Sequence, residues 1–474
     1  SLLLLPKSFF DTRKTGDFVG RLNDIIRIQR VITEFASAYI IDILVVIISL
    51  VILFFYSETT ALFTFLTLPV FFTLVYRWNS KIISSQREVM SKYAQSESNY
   101  IDSIRGITEI KSLNWQNLFK EKNKIVFSDF QDRSFFLGKI KVKLGLITGL
   151  AGTLYLILVL LFTSISVIKS WMTQGELLAI LSICSNILPS VLNLALIAIP
   201  VSEAKVAMSR MFEFTQIDAE GSVANSADSE IRFEKIKLDN ISFRFPGRKL
   251  LLRDINISME KGHVVSLVGE SGGGKSTLVN IIMGFYVAES GRIFINDIID
   301  SRNISIKNWR SSIGIVPQEI HIFNGTILQN MLIEYSEDNI KELLSMITEY
   351  GLGPFFNSFP AGLATLVGEE GINLSGGQKQ IIAFVRAIFG NPDFLLVDEG
   401  TSNMDTGTEK IIINLIKRLK SKMGILMISH KVNLIKKISD RIYVLDNGSI
   451  TASGLHKNLI VENNLYKRFW DDFY

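Results

Sequence analysis

A bundle of membrane-spanning α-helices followed by an α/β domain of the P-loop type is the fold class this sequence predicts. Three observations predict it. Before about residue 205 the chain holds four apolar segments, each long enough to cross a bilayer. From Ile231 the pattern changes to short β-rich runs alternating with helical pieces. Residues 269–276 read Gly-Glu-Ser-Gly-Gly-Gly-Lys-Ser between one such run and a helix, which is the setting of a phosphate-cradling loop.

At 474 residues there is room for two or three domains. The mean hydropathy of +0.30 is high for a soluble protein of this size, and the apolar surplus lies before residue 205. A net charge of +4 carries little information. No basic face with a nucleic-acid reader motif is apparent, so a nucleic-acid partner is not expected. The lone cysteine, Cys184, excludes an internal disulfide and reads as a small buried hydrophobe. The chain opens on Ser1 and four leucines, too few for a signal segment or a span, so it is expected to be cut from a longer protein.

The four spans are approximately Ala36–Tyr56, Thr60–Trp78, Leu144–Ile168 and Leu177–Val201. Only Ser57-Glu58-Thr59 joins the first two, and Lys169–Glu176 joins the last two. Between the pairs, Asn79–Lys143 carries about twelve Lys/Arg, among them Lys81, Arg87, Arg105 and Lys111, whereas the two hairpin turns carry only Lys169. Basic residues stay on the cytoplasmic side, so the long connection, both chain ends and the α/β domain are expected there, in a multi-pass protein of the cytoplasmic membrane.

Asn79–Lys143 does not have the composition of a loop. Ile101, Ile104, Ile107, Ile110 and Leu113 recur at helical spacing. The flanking helices are therefore expected to continue far beyond the bilayer and to meet at a turn near Asn114–Phe119. Pro69, Pro189 and Pro200 are either tolerated bends or gating kinks. Gly145-x-x-x-Gly149 is either a helix-packing face or a chance pair. Asp42 either lines a watery pathway or makes a hydrogen bond near the interface.

Residues 206–230 are polar and small, as in a linker between a membrane domain at 1–205 and an α/β domain at 231–474. Strands are expected at Ile231–Phe233, Lys237–Phe243, Val264–Val268, Arg292–Ile295, Phe394–Val397, Ile425–Ile428 and Arg441–Leu445. Val264–Val268 leads into the loop Gly269, Glu270, Ser271, Gly272, Gly273, Gly274, Lys275 and Ser276, and Thr277–Met283 continues as a helix. The glycines let backbone N–H groups wrap phosphates, Lys275 reaches the β/γ-phosphates, and Ser276 with Thr277 stands at the helix N-terminus, Ser276 as a Mg²⁺ ligand. After the strand Phe394–Val397, Asp398 is suited to the Mg²⁺ shell and Glu399 to polarising an attacking water. The nucleotide and metal expected are thus ATP and Mg²⁺.

Leu374-Ser375-Gly376-Gly377-Gln378 is identical to the signature of ATP-binding-cassette (ABC) proteins, and the domain from Ile231 onward resembles such a cassette. The resemblance implies that Phe245 stacks on adenine and that Gln318 in Val-Pro-Gln senses Mg²⁺ and the membrane domain. It also implies that Ser402-Asn403-Met404-Asp405 follows the catalytic Glu399, with Asp405 at the nucleotide, and that His430 contacts the γ-phosphate. Phe245 stands where tyrosine is usual, Gly400 where alanine is common, and Ile381 where arginine is usual; no catalytic group is lost. His263, His321 and His456 match no motif and read as ordinary surface or packing residues. In the family two cassettes pair head to tail, so Ser375, Gly376, Gly377 and Gln378 would close over ATP held by a second copy or a related half-transporter. Within one domain they are expected far from Lys275, ahead of a helical run Gln380–Ile388.

Pro6–Asp17 with Arg21-Leu22-Asn23-Asp24 is similar to the first cytoplasmic loop of ABC exporters, which places the four spans as the third to sixth of six. Gly16–Leu22 and roughly Trp115–Lys120 would be short coupling helices. Phe9-Phe10-Asp11-Thr12-Arg13-Lys14-Thr15-Gly16-Asp17 looks most like the subgroup that exports peptides and proteins, often with a peptidase domain further upstream. A lipid or multidrug exporter shares the same catalytic residues. A soluble ABC ATPase of DNA repair or translation is disfavoured by the four spans, and a degenerate cassette by Glu399, His430 and the signature.

Overall fold

The computed structural model describes residues 2–13, 25–26, 28–220, 231–332, 334–368, 373–399 and 406–472. It divides into two compact units. Residues 13–217 form one; residues 1–12, which include the short helix α1 (Lys7–Asp11), group with residues 218–474.

In the membrane unit a π-helical turn at Phe35–Tyr39 runs into α2 (Ile40–Tyr56). Ser57 ends α2 in an extended conformation and caps the next helix, its hydroxyl accepting from the Thr60 N–H at 3.3 Å. One residue therefore makes the hairpin turn. The next helix, α3 (Glu58–Arg105), has 48 residues and runs through Pro69 without a break. After the short α4 (Ile107–Ser112) comes α5 (Gln116–Ile168) with 53 residues. At 1.5 Å per residue these two reach about 70–80 Å, well over twice a hydrocarbon thickness of about 30 Å, as the helical spacing of the basic stretch implies. A capping box between Thr173 and Glu176 starts α6 (Gln174–Leu196), and α7 (Ala198–Thr215) follows a break at Ile197.

The turn between the long helices falls at 113–115, where Asn114 takes a left-handed φ of 55°. The segment Trp115–Lys120 is not a separate helix: Gln116–Lys120 is the first turn of α5, and the isolated short helix is α4, set off by Gly106. The helix the resemblance implies at Trp115–Lys120 thus falls earlier, between Gly106 and the left-handed Asn114. Gly16–Leu22, the other candidate coupling helix, lies outside the described residues. A Cβ on Gly145 or Gly149 would meet nothing within 4 Å. The close approach is instead at Gly152, where a Cβ would stand 3.3 Å from Leu188 of α6.

The unit's core is a thin seam of Leu53, Leu68, Val159, Ile180, Cys184 and Ile187. Inside it the Thr64 hydroxyl and the Tyr155 phenol share a 2.8 Å hydrogen bond between α3 and α5. Asp42 accepts from Asn193 at 3.2 Å. Large apolar residues such as Leu62, Leu66, Leu150 and Leu161 point outward, the orientation lipid-facing helices require.

In the second unit an antiparallel sheet pairs β1 (Lys235–Phe243) with β2 (Leu252–Glu260) on one side and β4 (Ser290–Ile295) on the other, with β5 (Ile299–Asp300) at the edge. The expected strand at Ile231–Phe233 is absent; Phe233 is buried, but its N–H is taken by the Asp393 carboxylate, not by a sheet partner. The larger sheet has the order β12-β11-β3-β10-β9-β6. Its strands are β3 (Val264–Gly269), β6 (Ile313–Val316), β9 (Phe394–Asp398), β10 (Gly424–Ile428), β11 (Arg441–Asp446) and β12 (Ser449–Gly454). Strand β10 runs parallel between β3 and β9, pairing Ile428 with both Leu267 and Asp398, so the loops after β3 and β9 emerge at the same end. Helix α8 (Lys275–Ile282) buries Leu278 and Ile282 against this sheet and fixes the loop that precedes it. Helix α7 runs to Thr215, into the stretch whose composition reads as linker; residues 221–230 lie outside the described set.

Candidate functional site

The loop after β3 is held by steric limits on its glycines. A Cβ on Gly269 would stand 2.4 Å from the Leu445 carbonyl oxygen, so only glycine leaves β3 beside β11. Gly274 has φ 97° and is the N-cap of α8, a conformation that costs other residues strain. The Lys275 ammonium, buried to 5% exposure, donates to the carbonyls of Gly269 at 2.9 Å and Glu270 at 2.8 Å. It thereby folds back over the arc of backbone amides instead of extending into solvent. Burial pushes its pKa down, against the pull of the Glu399 and Asp398 carboxylates.

Asp398 closes β9 and is likewise almost wholly buried. Burial raises its pKa above the usual carboxylate range, partly offset by a hydrogen bond from the Ser276 hydroxyl, and the neighbouring Glu399 charge pushes it further up. Its Oδ1 has no hydrogen-bond partner among the described atoms. A buried carboxylate oxygen without a donor is costly, and it fits a site meant for a cation. Together with the Ser276 hydroxyl bonded to it and the side-chain carbonyl of Gln318, it would supply the hard oxygen donors a magnesium ion takes.

Glu399 adopts a left-handed φ of 49° immediately after the strand. Its N–H bonds the Ile428 carbonyl at 3.0 Å. Its carboxylate accepts from Gln318 Nε2 at 2.8 Å and from His430 Nε2 at 2.7 Å. Three side chains from the ends of three parallel strands, β6, β9 and β10, thus meet on one carboxylate. Phe245, just past β1, stands edge-on to Phe243 at 5.0 Å and to Tyr286 at 5.5 Å and packs on the cluster that holds Val265, Leu267 and Leu278.

The signature does not wait for Gln380 to become helical. Helix α13 (Gly376–Ile388) begins at Gly376, with Ser375 as N-cap in a capping box with Gln378. The Ser375 hydroxyl accepts from the Gln378 N–H at 3.3 Å, and Gln378 Oε1 accepts from the Ser375 N–H at 2.8 Å. The box is hidden in sequence because two glycines normally argue against a helix start. Gly377 packs on Thr408 of α14 (Thr406–Leu419), where a Cβ would meet side-chain atoms at 2.9–3.2 Å. Ile381 is fully buried, so its apolar side chain suits this position. Asp405 and residues 402–404 lie outside the described set.

Two groups escaped the sequence reading. Arg386, on the apolar face of α13, donates to the Asn330 carbonyl at 2.7 Å and the His321 carbonyl at 3.2 Å, fastening the segment downstream of Gln318; burial lowers its pKa. An arginine inside an otherwise apolar run, Ile381–Ile388, was the available signal. Tyr286 touches Phe245 with its ring and donates from its phenol to Asp11 Oδ2 at 2.6 Å. No local pattern announces a partner 275 residues away.

A switch-point phosphate loop, a neighbouring strand ending in Asp-Glu and a capped signature helix define a nucleotide-binding cassette. The family model described as "ABC transporter" matches residues 252–402, and that described as "ABC transporter transmembrane region" matches residues 1–190. The chain belongs to the ABC transporters, as a half-transporter that carries a transmembrane region and an ATP-binding cassette on one polypeptide.

It is 32% identical over 475 residues to the lactococcin-G-processing and transport ATP-binding protein LagD of Lactococcus lactis subsp. lactis, covering 98% of this chain and 66% of that protein. It is 29% identical to the alpha-hemolysin translocation ATP-binding protein HlyB of Escherichia coli O157:H7, covering 97% and 65%. The chain thus spans about two thirds of the length of the curated relatives it matches. A bacterial Atm1-family ABC exporter, solved with ATP bound, shares the fold with a TM-score of 0.88 at 22% identity, over 100% of this chain and 83% of that one.

Proposed function

We propose that this chain is one half of an ATP-driven exporter of peptides or proteins, working as a dimer in the cytoplasmic membrane. The observation that carries the catalytic part is the Glu399 carboxylate, held by Gln318 and His430 at 2.7–2.8 Å beside the loop that holds Lys275. The reading of cargo is supported by relatives whose names specify lactococcin transport and hemolysin translocation.

Backbone amides of Gly269–Ser276 and the α8 N-terminus bind the phosphates, and Lys275 exchanges its two carbonyl contacts for phosphate oxygens. Phe245 offers its ring to the base. Magnesium, held by Ser276, Asp398 and Gln318, would neutralise phosphate charge. Glu399 then orients water and takes its proton, while His430 and Gln318 keep the carboxylate in place and His430 faces the γ-phosphate. Ser375 to Gln378, with Asp405, complete the site of a second copy or a related half-transporter. The twelve basic residues of 79–143 support a cytoplasmic cassette and cytoplasmic ends for this chain.

The test is ATP-dependent uptake into proteoliposomes that carry the full-length protein. Leader-bearing peptides are expected to accumulate, and Glu399→Gln to stop it. Uptake of lipids or dyes alone removes the peptide reading and leaves a lipid or multidrug exporter.

A further inference from the structure

Within the membrane unit, Glu34 just ahead of the first span, Tyr39 on it and Glu203 on α7 just past the fourth line a cavity of about 740 Å³, the size of a small-ligand site. Two departures from regular helix border it. The π-helical turn Phe35–Tyr39 carries Ala38 and Tyr39 of the wall and directly follows Glu34, with the Ile40 N–H bonding the Phe35 carbonyl. Such turns interrupt the helical ladder and recur at functional sites.

Opposite it, the sixth-to-seventh helix break at Ile197 gives Leu196 and Pro200 to the wall. Pro200 has no N–H, so the Leu196 carbonyl loses its donor four residues on. The Ala195 carbonyl is rescued instead by Asn79, whose amide donates to it at 2.8 Å from a buried position on α3. Broken helices at membrane depth are tolerated where they line a cavity, and transporters place cargo sites at them.

The charge of this wall selects an occupant. Among the described residues of the wall, Lys141 is the basic one that stands with Glu34 and Glu203. Among the described residues neither carboxylate is ion-paired, with Lys141 or with any other group. Asn193, also in the wall, is the residue that bonds Asp42, so a third carboxylate stands just behind it. Carboxylates left without an ion pair in a cavity wall at the end of a span recur where a substrate or ion passes. The C-terminal end of α6 adds partial negative charge.

We propose that this cavity is a cargo site for a positively charged side chain, an arginine or lysine of the exported peptide, held between Glu34 and Glu203. This rests on the export reading above and narrows it.

The experiment uses full-length protein in lipid nanodiscs and two fluorescent peptides, one bearing arginines and one with citrulline in their place. The double variant Glu34→Gln/Glu203→Gln is expected to bind the arginine peptide roughly tenfold more weakly and the citrulline peptide unchanged. Lys141→Gln is expected to tighten the arginine peptide, a change that misfolding cannot produce. Equal affinity for both peptides, in wild type and double variant alike, overturns the site and leaves peptide export standing. If neither peptide binds or is transported, the peptide reading falls. Tetraphenylphosphonium then decides the cavity: weaker binding by the double variant keeps a cation site, and equal binding removes it.

Discussion

In the cassette unit Leu395, Leu396 and Val397 are fully buried and charged groups lie outside; in the membrane unit Thr60, Thr64 and Thr163 are fully buried while Leu150 and Val70 face outward. The same twenty side chains obey the same preference for matching surroundings, but the surroundings are inverted. The cassette concentrates its exceptions, buried Lys275 and Asp398, at one site. The membrane unit places its exceptions where helices lose regularity.

The largest expected effect is catalytic. Glu399→Gln should cut ATP turnover about 10³-fold while a fluorescent ATP analogue still binds, because only the proton acceptor is lost. Turnover within tenfold of wild type would end the assignment of Glu399 as base.

The solvent comparison is tested by one substitution made twice. Val70, 68% exposed, and Val287, 85% exposed, look alike by exposure alone. Val70→Asp, mid-span, should cost about 3 kcal/mol of insertion. Val287→Asp should stay within about 0.5 kcal/mol. Similar penalties in detergent-free membranes, by insertion yield and thermal melting, would mean that α3 does not face lipid there.

Asp398 comes next. Its carboxyl titrates above the usual range, so the folded state bears the cost of that buried charge once the pH exceeds the folded pKa, and is relieved of it in acid. Asp398→Asn should therefore raise the melting temperature of the nucleotide-free protein by about 2–4 °C at neutral pH. The gain should vanish as pH falls below the ordinary carboxylate range, and ATP turnover should be lost. A variant that melts lower at neutral pH would show the carboxylate to be stabilising.

The smallest effect sharpens the same contrast inside the bilayer. Tyr155→Phe or Thr64→Val should each cost about 0.6–1 kcal/mol by removing one partner of that buried hydrogen bond. The double variant should cost no more than either single one, since both polar groups are then gone. Additive losses would assign the effect to packing.

The spans, the phosphate loop, Asp398-Glu399 and the signature were legible because each is a contiguous string with its own periodicity or fixed spacing. The long helices on either side of the basic stretch were legible for the same reason. Short elements were not. Strand β2 alternates at Ile255, Ile257 and Met259 but is broken by polar residues that mask it, and Ile231–Phe233 has the composition of a strand although the Phe233 N–H bonds Asp393. In the α13 cap the reciprocal bonds of Ser375 and Gln378 outweigh the entropy cost of two glycines.

Sequence by itself determined which residues carry chemistry and which segments meet lipid, since both follow from side-chain type and local spacing. Only the tertiary structure decided what those residues touch. It set Gln318 and His430 on the Glu399 carboxylate, 81 and 31 residues away, and left Asp398 Oδ1 without a donor. It also gathered Glu34, Lys141 and Glu203 round one cavity. The physical reason is that strand order and helix packing bring distant positions together through many weak contacts, and no short stretch of chain encodes the sum.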